Sequence, residues 1–528
     1  MRGALPLLWL ACVASAFATV EPTTLVVAAV FPMFYPDGIK SLPGTRALAA
    51  FLLAIEEINN KTDGIHDELL PDSVIEVAYA DSKCEVRATL TGLIQLLSLQ
   101  GGEWGGMSGI IGSWCSSSTI ALANMATVLS IPQISFGAMS DDLSDRVRYP
   151  FFMRTAPSLV DECYAIVDVL RYLFAYSRVA VMYSNEEYGV SSNTAFRVAA
   201  QRVLNGVQLQ ILQNIRIRMP VGQTLPTYEE EYETLLKSGA RVLVLLGQAA
   251  AARPFIHGGL AFGIGGDGFV WLGNAGVTDD AIYTAGVMRS ISAKHRLRLM
   301  KGFFGLHPSL AAQTPAANRL LSHLRANRRE GNGTLCDLAT DRYGTRLFAA
   351  DVDGDGTLEC AGWQENETTP TGDYWAASAY DAAYALAFGL DDLRRQAVDG
   401  GEAFASLASR GAEVFEAVVN SDVFVGASGE VSFYNDSVST WYGPGDRTSE
   451  GQLFALMNFA DNEHGLVQVG TVKSCKTCTW ESRFSYGPAK LTFSTSDNTK
   501  PLDVPVPKPT YNDERGSGEL PAPPPPPL

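Results

Sequence analysis

Short apolar runs alternating with amphipathic helical stretches constrain this chain more than any other feature. "TTLVVAAVFP" reads as a buried strand, "GTRALAAFLLAIEEINN" as a helix, "VIEVAYAD" as a strand and "RATLTGLIQLLSL" as a helix. "MSGIIGS", "STIALANMATVL" and "IPQISFG" extend the series by a strand, a helix and a strand. A second series starts with the helix "VDECYAIVDVLRYLF" and the strand "RVAVMYS" and runs to the strand "GFVWLGN". Strands apolar along their whole length and separated by helices call for parallel pairing, with helices covering both faces. Two such series predict an α/β chain with two lobes. Beyond them come the long helix "YWAASAYDAAYALAFGLDDL" and a hairpin-like pair, "GASGEVSFYND" with "GQLFALMNFAD". From about Lys473 the alternation fails, and "PAPPPPPL" is an extended polyproline stretch with no core.

Arg2 precedes the apolar "ALPLLWLACVASAFA", which ends in Ala16-Phe17-Ala18, so residues 1–18 read as a secretory signal and the mature chain begins near Thr19. No later apolar run is long enough to span a bilayer. A net charge of −17 argues against nucleic acid as a partner. With Cys12 removed, Cys84, Cys115, Cys163, Cys336, Cys360, Cys475 and Cys478 remain, an odd set for an oxidising compartment. Asn60, Asn332, Asn366 and Asn435 head N-x-S/T sequons, consistent with secretion and glycosylation.

The stretch "GIIGSWCSSSTIALA" hands a strand over to a helix through five small polar residues, Cys115 to Thr119. In open α/β sheets ligands bind beyond the carboxyl ends of strands, and a helix N-terminus there offers free amides and partial positive charge. The run suits a carboxylate or similar anion. The competing reading is plain N-capping by Ser or Thr.

Several motifs in order, "YADSKCEV", "GIIGSWCSSSTIALA", "IPQISFGAMSDDLSDRVRYPFFMRTAPS", "NEEYGVSSNTAF" and "YDAAYALAFGL", resemble the extracellular ligand-binding domain of family C G-protein-coupled receptors. The nearest likeness is to GABA-B receptor subunits, with metabotropic glutamate and natriuretic-peptide receptors as relatives, over about residues 22–472. The resemblance implies a two-lobed clamshell of the type I periplasmic-binding-protein fold, each lobe a parallel sheet flanked by helices. Residues 19–473 would form the ligand-binding region, with lobe one about 22–156 and 303–424 and lobe two about 157–302 and 425–473. Residues 474–528 would be a cysteine-containing stub and a disordered proline-rich tail. It further implies a Cys84–Cys115 disulfide, a ligand carboxylate on Ser116 and Ser117 with Ser140 beside them, and Tyr188 closing from the second lobe.

The positions that hold the amine end in GABA and glutamate binders are here Met139, Ala156, about Ala275 and about Gln248, so that end looks dismantled. The implied function is the ectodomain of a cell-surface receptor that closes on a small anionic or amino-acid-like ligand, and pairs as a homo- or heterodimer through lobe one. Its membrane region would lie outside this chain. The alternatives are a secreted solute-binding protein, a dimer partner that binds no small ligand, or the ectodomain of a single-span cyclase or kinase.

"DVDGDGTLEC" sets Asp351, Asp353, Asp355 and Glu359 at calcium-loop spacing, against the plainer reading of an acidic turn between Cys336 and Cys360, which would pair with each other. "GIGGDG" closes a helix instead of opening one, so it reads as a glycine turn and not a dinucleotide site. Asp141, Asp142 and Glu229 to Glu231 read as acidic charge at helix starts. The six histidines lack partner spacing and no G-x-S-x-G elbow occurs, so the chain is read as not an enzyme.

Overall fold

The structure, a computed structural model, describes residues 22–34, 41–99, 106–202, 208–220, 226–265, 268–278, 300–310, 314–329, 349–350, 359–360, 372–436, 442–448, 452–461, 465–474, 480–487, 489–491 and 500. The first lobe is built on β1 (Thr23–Phe31), β2 (Ser73–Asp81), β3 (Met107–Gly112), β4 (Gln133–Ser135) and β5 (Phe152–Arg154). These pair in parallel in the order β2-β1-β3-β4-β5. Along β1, Leu25, Val27, Ala29 and Phe31 enter one core while Ala28 and Val30 enter the other, as the two-residue period of a strand requires. Helix α1 (Leu42–Asn59) and the long helix Gly372–Gly400 cover the first face, and α2 (Val86–Leu99) with α3 (Ser116–Leu129) cover the second.

The second lobe is built on eight strands. β6 (Arg178–Ser184), β7 (Gln210–Ile217), β8 (Val242–Leu246), β9 (Val270–Gly273) and β10 (Phe303–Ser309) are parallel, in the order β7-β6-β8-β9-β10. On β6, Val179 and Val181 face the core under α4 (Leu159–Asp168) and α5 (Glu187–Ala200), while Ala180 and Met182 face the opposite core.

The first sheet is parallel and the second is mixed. The strands Leu453–Asp461, Gly465–Lys473 and Phe484–Tyr486 extend the second sheet antiparallel beyond β10, and these three are joined in chain order by connections too short for a parallel crossover. The lobe borders shift as well. Phe303–Ser309 belongs to the second sheet, so the return to lobe one falls after Ser309. The hairpin Phe424–Gly426 with Gly429–Val431 stays with lobe one, because Asp381 on the long helix accepts the amides of Ala427 and Ser428. Leu453–Asp461 therefore pairs with Gly465–Lys473 and β10, not with "GASGEVSFYND". Residues past Lys473, expected to be without pattern, supply the edge strand Phe484–Tyr486.

Residues 155–158 cross from β5 of the first sheet to α4, which packs on the second. Beside this crossing, Arg154 ends β5 and pairs with Asp446 at 2.9 Å, both side chains buried. Arg146 joins the same carboxylate at 3.0 Å. Burial works against ionisation of Asp446, but the two guanidiniums outweigh it and hold its pKa below the usual carboxylate value.

Candidate functional site

The serine run sits at the carboxyl end of β3, where α3 begins. Cys115 is the N-cap residue and its side chain makes no capping bond, so the hydroxyls at 116–118 lie inside the first turn and do not cap it. Ser118 Oγ donates to Cys115 O at 2.8 Å, and the first intrahelical bond runs from Thr119 N–H to Cys115 O. The amides before Thr119 precede that bond and are the orphan donors of the helix start. Cys115 is bonded to Cys84, with Cα atoms 5.4 Å apart, as the resemblance implied. The disulfide fixes the turn to the loop that follows β2.

Ser116 is buried and its Oγ accepts the Ser140 N–H at 3.4 Å, which brings two of the candidate binding residues together. Ser117 is half-buried. Arg154 donates to Ser140 O at 2.8 Å, tying the loop after β4 to the buried Arg154–Asp446 pair.

Helix α5 of the second lobe meets this loop. Ser140 Oγ donates to Ser191 Oγ at 3.1 Å and approaches Glu187 Oε1 at 3.5 Å, while Asp141 N–H donates to Ser191 Oγ at 3.2 Å. The Ser191 hydroxyl in turn donates to the Asp141 carboxylate. Asp141 and Asp142 do occupy the first turn of the short helix Asp141–Ser144, and burial of Asp141, partly offset by its backbone bond and Arg154, raises its pKa to about 6. Asp142 stays exposed and pairs with Arg148. Glu229 to Glu231 do occupy the first turn of the helix Glu229–Ser238.

Tyr188, the fourth candidate, is buried on the same helix. Glu186 caps α5 by accepting the Tyr188 and Gly189 amides at 2.7 and 3.0 Å, which sets where the ring projects. Its hydroxyl accepts the Gly276 N–H at 3.3 Å. A Cβ at Gly276 would stand 2.6 Å from the Tyr188 ring and 2.5 Å from Gly247 O, so only glycine fits there.

Sequence reasoning did not single out Ser191, Glu187 or Glu162. Glu162 lies in the first turn of α4, fully buried, with Oε1 accepting the Ala275 N–H at 2.6 Å. Burial raises its pKa to about 8, against the Ala275 amide and the Tyr188 phenol, which lower it. Met139 and Ala156, which the resemblance set at the amine end, are buried and pack against Leu159, Val160 and Cys163 of the cluster that includes α4. Gln248 is half-buried, with its backbone N–H donating to Ser184 Oγ at 3.3 Å.

Some expectations fall on other residues. Asp351, Asp353, Asp355, Cys336, Cys475, Cys478, Asn332 and Asn366 lie outside the described residues, as do the side chains of Glu359 and Cys360. Among the described residues no three His, Cys, Asp or Glu side chains converge as a metal site. Asn60 and Asn435 are exposed. Among the described residues no helix is long and apolar enough to cross a membrane.

The family described as "Receptor family ligand binding region" matches residues 46–442, most of the chain. This chain belongs to that family. The ligand-binding region is similar to metabotropic glutamate receptor 4 of Mus musculus, 29% identical over 250 residues, covering 45% of this chain and 26% of the relative. It is similar to taste receptor type 1 member 2 of Papio hamadryas, 28% identical over 213 residues, covering 38% and 25%. It is also similar to metabotropic glutamate receptor 8 of Homo sapiens, 26% identical over 250 residues, covering 45% and 27%. The chain matches about a quarter of the length of these curated relatives. These relatives are named as receptors, in keeping with the receptor ligand-binding region that the family match gives this chain.

Proposed function

We propose that this ligand-binding region is the ectodomain of a cell-surface receptor, and that its lobes close on a small amino-acid-like or carboxylate ligand to signal across the membrane. The observation that carries this reading is the convergence of Ser116, Ser140 and Ser191, from both lobes, at the start of a helix whose first amides lack intrahelical partners. A ligand carboxylate in that turn would meet hydroxyls and amides, a donor set suited to an anion. Ser117 and Tyr188 complete the set from either side of the cleft. Closure follows from contacts that exist only when both lobes reach the ligand.

Pairing would use lobe one. The outer faces of α2 and α3 expose Val86, Ile94 and Val128, at 44%, 49% and 77%, a surface suited to a second copy or a related chain. Within family C, the cysteine-serine turn and "YDAAYALAFGL" support a place near the GABA-B subunits. Secretion through residues 1–18 and glycans at Asn60 and Asn435 fit the same extracellular placement.

The test is a thermal-shift screen of the full chain against amino acids and small mono- and dicarboxylates. A rise in Tm with at least one compound class is expected. No shift with any of them at millimolar concentration would leave the chain a dimer partner without a small ligand.

A further inference from the structure

Trp114 stands two residues beyond the end of β3, and Gly137 two residues beyond the end of β4, the neighbouring parallel strand. The indole lies on that glycine: a Cβ at Gly137 would stand 1.9 Å from Trp114 Cδ1. Gly137 has no left-handed φ, so its backbone would accept any residue and only the ring demands glycine. The space beyond the carboxyl ends of strands is where an open α/β sheet takes its ligand. Here an indole of the chain itself stands in that space, two residues before Ser116.

The ring also lies between the lobes. It is half-buried and packs against the core clusters of both. Its centroid is 5.8 Å from that of Trp375, at the start of the long helix Gly372–Gly400, and Trp375 meets His307 of β10 edge-on at 5.4 Å. Trp114, Trp375 and His307 therefore form a path from the serine turn to the second sheet. Ser135 Oγ donates to Ser113 O at 2.6 Å, which fastens the turns after β4 and β3 to each other on either side of the ring. Aromatic contacts at these spacings are favourable, so a ligand that displaced the indole would lose affinity in doing so.

We infer that Trp114 is the specificity-determining residue for ligand size: its indole restricts the cleft to carboxylates with small side chains, because a bulky group extending from the serine turn would need the place the ring occupies. The inference rests on the proposed reading of the cleft as a small-ligand site. Selection is by volume and not by charge. The serine turn holds the carboxylate end, and the ring two residues before it decides how much can follow.

The experiment is calorimetric titration of the full chain and of its Trp114→Gly variant with short ligands (acetate, propionate, glycine, L-alanine) and bulky ones (phenylacetate, indole-3-acetate, L-phenylalanine, L-tryptophan). The unmodified chain should bind at least one short ligand about ten-fold or more tightly than any bulky one. Trp114→Gly should gain about ten-fold or more for a phenyl or indolyl ligand, whose ring takes the vacated place. Adding Ser116→Ala should remove most of that gain, because the carboxylate loses its hold on the serine turn. A bulky ligand that binds the unmodified chain as tightly as the short ones would overturn the inference while leaving the cleft reading intact. So would short ligands that bind while Trp114→Gly gains nothing for bulky ones. A gain that Ser116→Ala leaves whole would place the ring in a packing void outside the ligand's path, and would overturn it too. If no ligand of either size binds either chain, the cleft reading fails and the inference with it. Should Trp114→Gly not fold, Trp114→Leu is read in the same way. Where neither folds, the size preference of the unmodified chain decides: its presence supports the inference and its absence overturns it.

Discussion

Ser140 Oγ and Ser191 Oγ lie 3.1 Å apart and come from opposite lobes, so the loop after β4 and helix α5 are joined by a direct hydrogen bond. The same Ser191 hydroxyl accepts the Asp141 amide at 3.2 Å and donates to the Asp141 carboxylate. One small side chain thus carries three polar links across the lobes. Each such bond contributes of order 0.5–1.5 kcal/mol.

Ser191→Ala should therefore shift the ligand-free protein toward an open form by about 1–3 kcal/mol. Small-angle scattering checks this: the variant should have a larger radius of gyration than the parent, with its Tm little changed. An unchanged scattering profile would remove Ser191 from any role in closure.

Asp141 gives this contact a pH dependence. Its pKa in the folded protein is about 6, above the ordinary 3.8, so the closed form binds its proton more tightly than the solvated carboxyl does. The folded, closed state then gains stability as pH falls from about 6 toward 4 and loses it as pH rises through 6. Glu162 acts in the same direction at higher pH, so comparison with Asp141→Asn isolates Asp141. The Tm of the parent minus that of the variant should increase between pH 7 and pH 5. A flat difference would show that Asp141 titrates normally.

Losing both hydroxyls of Ser116 and Ser117 to alanine should weaken the proposed ligand contact by about 2–4 kcal/mol, since bonds to a charged carboxylate are the stronger kind. Calorimetry with whichever compound the screen identifies measures it. The fold should survive, because neither hydroxyl caps the helix.

The Cys84–Cys115 bridge closes a loop of sequence separation 31 and anchors the N-cap of α3. Replacing both cysteines by serine should cost about 2–4 kcal/mol of unfolding free energy, read from urea denaturation. Ligand affinity should fall further than the Ser116 and Ser117 substitutions alone explain, because the helix start itself loosens.

Asp446→Ala would strand Arg154, which is fully buried, and Arg146 without their shared carboxylate. Breaking a buried pair in this way costs about 3–5 kcal/mol. The lowered pKa of Asp446 implies that its contribution is present at neutral pH and fades as pH falls below the ordinary carboxylate range. The Tm gap between parent and variant should accordingly narrow in acid.

The α/β class, the two lobes and most strands of both sheets were legible in the order of apolar runs and helices, because burial on both faces forces a strand such as "RVLVLL" to be apolar throughout. The serine turn was legible as a helix start beyond a strand, and the motif resemblance supplied its bond to Cys84. Which strands sit edge to edge was decided elsewhere. Phe303–Ser309 lies between a parallel and an antiparallel neighbour, a placement that depends on partners about 30 and 150 residues away and leaves no local periodicity. The cleft partners were equally hidden. Ser191, Glu187 and Glu162 look like ordinary helix residues in the sequence, and Asp141 looks like a helix-start charge. Only the docking of α4 and α5 against the loop after β4 gives them their surroundings, because burial and hydrogen-bond partners belong to the tertiary structure and not to any short stretch of chain.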